Sequence, residues 1–264
     1  VTSAALDAYV TSTWVDAQDY ATVPWVEDQG YSTDDVANLS DYLSVDTATH
    51  EVVFSGANVL IQSGSGSTDD GAVAGGVLDG DLLTGLGNLI IGYNEVLDSF
   101  DETDRRGSHN LVMGRHHRYM GYNSVVTGES HDMYASNAAA MGGESHRISG
   151  DHSGTVGGTT HSLGGDADYA AALGGAFAEV YGNAAATVGG SSNRVDAYVS
   201  TVTGGRTNWA YEPYATVSGG ENNGAFERYS AVHGGHYNEA RAEYSSILGG
   251  ISRVTIDEDE TIPN

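Results

Sequence analysis

From residue 229 the chain reads Tyr229-Ser230-Ala231-Val232-His233-Gly234-Gly235-His236-Tyr237-Asn238-Glu239-Ala240. The same pattern returns at a fixed interval. Glycine pairs stand at Gly142-Gly143, Gly157-Gly158, Gly174-Gly175, Gly189-Gly190, Gly204-Gly205, Gly219-Gly220, Gly234-Gly235 and Gly249-Gly250, in steps of 15 residues with one step of 17. Upstream, Asn110-Leu111-Val112-Met113-Gly114 and Ser124-Val125-Val126-Thr127-Gly128 continue the series at steps of 14. Asn88-Leu89-Ile90-Ile91-Gly92 begins it, with an acidic insertion from Asp98 to Arg106 in between. A short, constant period of this kind specifies a solenoid in which each repeat is one turn.

Aligning the turns assigns each position a task. Five residues before the second glycine sit only small side chains, among them Ser124, Ala138, Ala215 and Ser230; two residues later come Val126, Ala140, Val217 and Val232. Residues two apart share one face of a strand, so both columns point inward at close range. The opposite face carries Met141, Val156, Leu173, Val188 and Leu248, turning polar at Thr203, Ser218 and His233. This strand therefore reads as covered on both sides. A second strand buries Ile148, Leu163, Val180, Val195, Ala210, Ala225 and Ala240 and is wet at Arg194, Asp196, Glu239 and Arg241. The glycine pair supplies a φ > 0 corner, and Asn193, Asn208, Asn223 and Asn238 are expected to supply another. The fold expected is all-β: a flat parallel β-roll or β-solenoid with turns of roughly 15 residues. About ten turns at ~4.8 Å each would make a rod some 50 Å long.

Composition agrees. The 264 residues include 37 Gly but only 3 Pro, 4 Phe and 4 Met, too few large apolar side chains for an ordinary globule. There is no cysteine, and all ten basic residues are arginine against 36 acids, a formal charge of −26. Such a polyanion is a poor partner for nucleic acid or anionic lipid. No apolar run approaches the ~20 residues that span a bilayer, so no membrane insertion by this chain is expected. The chain opens at Val1 on a polar segment without a signal-peptide pattern, as a mature or trimmed chain would.

Four regions follow. Residues 1–43 read as an N-terminal stalk with an 11-residue aromatic rhythm: Tyr9, Tyr20 and Tyr31, and Trp14 and Trp25. Thr22 to Gly30 reads as one capped short helix and Ser32 to Leu43 as another. Residues 44–86 read as a small β collar, with strands at Glu51–Phe54 and Asn58–Gln62, followed by a Gly/Ser/Asp linker from Ser63 to Gly71. Residues 87–250 are the roll, and 251–264 read as an acidic tail ending on Asp257-Glu258-Asp259-Glu260.

The unit Asn123-Ser124-Val125-Val126-Thr127-Gly128, repeated as Asn137-Ala138-Ala139-Ala140-Met141-Gly142, resembles the head repeat of YadA-like trimeric autotransporter adhesins, and trimeric fibre proteins more generally. The resemblance covers about residues 87 to 250. It implies a left-handed parallel β-roll with three chains packed side by side. The chain departs from that pattern in its 15-residue step and Gly-Gly corners, and it shows no coiled-coil stalk or anchor barrel.

Candidate chemistry is sparse. His146 and His161 share a column that later turns fill with Asn; in a trimer each would form a ring of three able to hold a metal, or each simply bonds the backbone at a corner. The Asp98–Asp104 cluster, with Asp101 and Asp104, could hold calcium through oxygens or be a solvated loop. Tyr169, Tyr214, Tyr229 and Tyr244 share a column that could offer a ligand surface for glycan or surface protein, or be a structural ladder. No nucleophile elbow, phosphate loop or zinc-protease motif is present, and no catalytic residue or cofactor is expected. The function expected is an extracellular or cell-surface structural and adhesive fibre, a homotrimeric rod that could join end to end into filaments. The alternatives are a phage-type receptor-binding tail fibre and a polysaccharide-degrading spike enzyme.

Overall fold

A computed structural model describes residues 41–74, 77–78, 82–95 and 105–264. The aromatic stalk repeats, the helix from Thr22 to Gly30 and the Asp98–Asp104 cluster lie outside the described residues. The chain divides into two compact units, Val1–Leu60 and Ile61–Asn264.

In the first unit, Leu43–Asp46 pairs antiparallel with Glu51–Phe54, Leu43 opposite Phe54 and Asp46 opposite Glu51. The turn is closed locally: the Asp46 carboxylate accepts the Ala48 N–H at 2.8 Å and the Thr49 N–H at 3.2 Å. Those two bonds hold the Asp46 carboxyl below its ordinary range. The expected partner segment, Asn58–Gln62, forms no strand, and Leu43 is strand rather than the end of a helix. A tight turn with its own side-chain cap closes more cheaply than a pairing across an irregular connection.

The second unit is a parallel β-solenoid. Its strands stack into a 12-stranded sheet running from Leu89–Ile91 to Thr261–Ile262 and a 10-stranded sheet running from Arg118–Tyr119 to Val254–Thr255. Successive turns lie in register: Leu111 beside Val125, Val125 beside Ala139, Thr201 beside Thr216. The 17-residue step keeps Ser162 beside Glu179 and Gly154 beside Ala171, so its two extra residues are absorbed in the connection from Gly164 to Ala170. A third, one-residue ladder links the glycine corners through Glu144, Thr159, Ala176, Ser191, Arg206, Glu221, His236 and Ile251.

The roll does not stop at Gly250. Val254–Thr255 pairs with Glu239–Ala240 and Thr261–Ile262 pairs with Ser246–Ile247, so the acidic tail is one more turn, with Asp257 to Glu260 in its outer corner. The chemical columns end there, Arg253 replacing Asn and Glu260 replacing a small residue, but the backbone ladder continues and Asn238 Oδ1 still accepts the Arg253 N–H at 2.9 Å. At the other end Ser63–Gly71 is an ordered loop. Its Asp70 carboxylate accepts Ser65 Oγ at 2.6 Å and the Thr84 N–H at 2.8 Å. Burial opposes charge on Asp70, but hydrogen bonds from Ser108, Ser63, Ser65 and Thr84 outweigh it and hold its carboxyl well below the usual range.

The left-handed corner is not where the asparagines suggested. Asn193, Asn208, Asn223 and Asn238 point into the interior, all at 2% exposure or less. The residue before each takes the positive φ: Ser192 (56°), Thr207 (55°), Asn222 (53°) and Tyr237 (56°). A second such corner precedes the small-residue column, at Val199 (54°), Tyr214 (63°), Tyr229 (59°) and Tyr244 (58°). An isolated left-handed L-residue costs roughly 1–2 kcal/mol. The surrounding ladders over-determine the corner, which lets even a β-branched residue occupy it.

Between the two sheets each turn packs one residue from either side, and from Ala140 onward their volumes compensate, after two wider turns with Val112 and Tyr119 and with Val126 and Met133. Ala140 goes with Ile148, Thr155 with Leu163, Ala172 with Val180 and Thr187 with Val195. From the next turn the order reverses: Val202 with Ala210, Val217 with Ala225, Val232 with Ala240. From Ala140 to Ala240 the interior therefore keeps a similar width while its bulk moves from one sheet to the other, as close packing demands.

That sharing is testable. Val202→Ala should lose roughly 1–3 kcal/mol to a cavity and Ala210→Val a similar amount to overpacking. The double variant restores the turn's volume and should recover most of the combined loss in urea melts. A double variant no more stable than the two losses added together would rule out the pairing.

Candidate functional site

One inward side chain per turn lines the interior beside the glycine corner: His117, His131, His146 and His161, then Ala178, then Asn193, Asn208, Asn223 and Asn238. The asparagines form an amide ladder. Oδ1 of Asn193, Asn208 and Asn223 each accepts the backbone N–H of the next asparagine at 3.0 Å. Nδ2 of Asn208 donates to the carbonyls of Gly204 at 3.1 Å and Gly220 at 3.0 Å. This explains the invariant second glycine of each pair: a Cβ on Gly205 would collide with the Gly220 carbonyl and the Asn208 amide, whereas one on Gly204 meets nothing closer than 3.8 Å.

The histidines do the same work with rings. Centroids are 5.2 Å apart for His117 and His131, 4.7 Å for His131 and His146 and 4.8 Å for His146 and His161, the last two pairs only 2° from parallel. Nδ1 of each accepts the N–H of the next rung: His131 at 3.2 Å, His146 at 3.1 Å, His161 at 3.2 Å and Ala178 at 3.2 Å. With Nδ1 an acceptor, the proton of the neutral ring must sit on Nε2. Nε2 of His117 and His131 then donates to Met113 O at 3.1 Å and Thr127 O at 3.0 Å, while Nε2 of His146 and His161 finds no partner.

This arrangement excludes the metal reading of His146 and His161. Both rings are 1% exposed inside their own roll, so neither can meet its equivalent from another chain. Each Nδ1 lone pair is already committed to a backbone N–H. Among the described residues no three His, Asp or Glu side chains converge on a common metal position.

The tyrosine column divides. Tyr214 stacks on Tyr229 at 4.8 Å and Tyr229 on Tyr244 at 4.9 Å, both within 9° of parallel, while Tyr169 stands apart and stacks on His152 at 4.9 Å. Arg228 lies over Tyr229 at 5.0 Å and Tyr214 at 5.8 Å. Between Tyr214 and Tyr244 the facing ring surfaces are taken up by one another and by Arg228, whereas Tyr169 remains 63% exposed.

The two sheets differ outward. The 12-stranded sheet exposes an apolar stripe: Met141 at 53%, Val156 at 49%, Leu173 at 42% and Val188 at 41%. The 10-stranded sheet is charged and alternating, with Arg118 on Asp132 at 2.7 Å and Arg194 bridging Glu179 at 3.2 Å and Asp196 at 2.8 Å. The sequence reading passed over one interruption of that charged surface, the aromatic group Trp209, Tyr211 and Phe226. The available signal was Trp209 itself, which stands in a column that holds Glu179, Arg194 and Glu239 among its rungs.

The stacked histidines predict acid sensitivity with a definite sign. Burial pushes His131 down to about 3 and His146 down to about 4, reinforced by the neighbouring rings, and burial also lowers His117 and His161. Their folded values lie below the 6.5 of an ordinary imidazole. The unfolded chain therefore binds the extra protons first. Their contribution to stability is complete above pH ~6.5 and is lost as pH falls toward ~4, by up to about 1.4 kcal/mol per pH unit per histidine. Replacing His146 and His161 by Asn, the residue of the later turns, should flatten the fall in Tm between pH 6.5 and 4.5. An unchanged slope would mean that carboxylates alone govern it. No protein-family model, curated protein or solved structure matches the chain, and what the structure shows is a parallel β-solenoid with turns of about 15 residues.

Proposed function

We propose that the chain is the subunit of a non-enzymatic extracellular fibre, a homotrimeric rod whose repeated surface serves attachment or filament building. The observation that carries this reading is the stripe of Met141, Val156, Leu173 and Val188 on the outer face of the 12-stranded sheet. Monomeric proteins rarely leave a contiguous apolar patch of more than a few hundred Å² in water. A stripe running parallel to the rod axis is buried on every chain at once by closed rotational symmetry. The family resemblance selects threefold over twofold. The charged face of the second sheet then turns outward and keeps the assembly soluble. Identical shallow surfaces repeated on three chains favour many weak contacts over one deep site, the arithmetic of avidity.

Light scattering on the purified chain should give three times 27.4 kDa. Val156→Glu with Leu173→Glu should split the trimer while sparing the fold, since both residues are about half exposed in the single chain. A folded, monodisperse wild-type monomer would overturn the assembly. Incubation with a broad polysaccharide panel should release no reducing ends; reproducible release from any one polymer would favour the degrading-spike reading instead.

A further inference from the structure

The aromatic interruption of the second sheet is built differently from every ladder around it. Trp209, Gly224 and Glu239 are successive rungs of one column, Trp209 pairing with Gly224 and Gly224 with Glu239. Where neighbouring rungs carry long side chains, Gly224 leaves room above the sheet that the Phe226 ring fills, so Gly224 itself is buried. Phe226 folds its ring into contact with that glycine and meets Trp209 edge to face, centroids 6.3 Å apart at 89°. The result is a shallow, half-open cleft of about 100 Å³ lined by Trp209, Gly224, Phe226 and Glu239 with Thr207 and Asn222. Trp209 is 45% exposed and Tyr211 52% exposed beside it.

We propose that this cleft binds one ring of a neutral hexose in an oligosaccharide. An indole exposed on a charged surface offers a flat apolar wall, which suits the C–H face of a pyranose. The Thr207 hydroxyl, the Asn222 amide and the Glu239 carboxylate stand around it as hydrogen-bonding groups for equatorial hydroxyls, the composition of a small-ligand site. Arg241 donates to Glu239 Oε2 at 2.8 Å, so the local charge is balanced. The net charge of −26 disfavours an anionic ligand. Gly224 has no left-handed φ to satisfy, so its lack of a side chain serves space rather than conformation.

The use of such a site in attachment rests on the fibre reading above, but binding is a property of the single chain. The test is calorimetric titration of the full chain with maltohexaose, cellohexaose and hexa-N-acetylchitohexaose, with the oligomeric mass measured on the same samples. At least one should bind with Kd in the millimolar range or tighter, and Trp209→Ala and Gly224→Val should each weaken it about tenfold or more. Gly224→Val pushes the Phe226 ring off the sheet and so reshapes the cleft without touching the indole, and Tm measured on both variants separates lost binding from lost fold. Tyr244→Ala, on the tyrosine ladder, should leave binding unchanged. No binding of any of the three at about 10 mM, or affinity indifferent to both cleft substitutions, overturns the site whatever the oligomeric mass turns out to be.

Discussion

Every turn of this roll lies directly over the one before it, so each side chain must tolerate its own equivalent a strand spacing away, about 4.8 Å. That single condition decides which residues the columns admit. Flat rings satisfy it by stacking, as in His131 on His146 and Tyr214 on Tyr229. Carboxamides satisfy it by passing a hydrogen bond up the column, as Asn193 does to Asn208. Charges satisfy it only by alternating, as Arg118 with Asp132 and Glu179 with Arg194 do. A methyl or a hydroxymethyl satisfies it trivially, hence the alanines and serines at the opposite corner.

The histidine and asparagine segments solve one problem with different side effects. Both give the inner corner an acceptor for the next N–H. Asparagine also carries two donors, and Asn208 uses them on glycine carbonyls. Imidazole has one, which His146 and His161 leave unpartnered. The rings bring larger apolar area and mutual stacking in exchange for a site that charges in acid. The half of the rod nearer the N-terminus is therefore the half that feels pH.

Most of the roll was legible in the sequence because its columns are chemically uniform. Ala215, Ser230, Val217 and Val232 lie inward as their spacing of two required, and Met141 and Leu173 lie outward. What could not be read were features without a chemical marker. The positive-φ corner falls on residues as unlike as Thr207, Tyr237 and Val199, because neighbouring ladders impose the conformation on whichever residue arrives. The last turn lacks asparagine and small-residue markers of its own and is held by backbone pairing, by the Asn238 Oδ1 that accepts the Arg253 N–H, and by the buried Thr255. The Trp209 cleft depends on a residue being absent from a column, Gly224, and a missing side chain among 37 glycines draws no attention.

Regular register has a kinetic side. Almost every ladder bond in the roll joins residues 14 to 17 apart in the chain, from Val125–Ala139 at one end to Ile247–Ile262 at the other. Closing each such loop carries nearly the same entropic cost, and no pairing must wait for a distant segment to be found. Once a few turns exist, each new one docks onto a finished edge that already displays the correct donors and acceptors. The rod can thus be laid down progressively as the chain emerges, turn upon turn, with the nucleus as the only slow event.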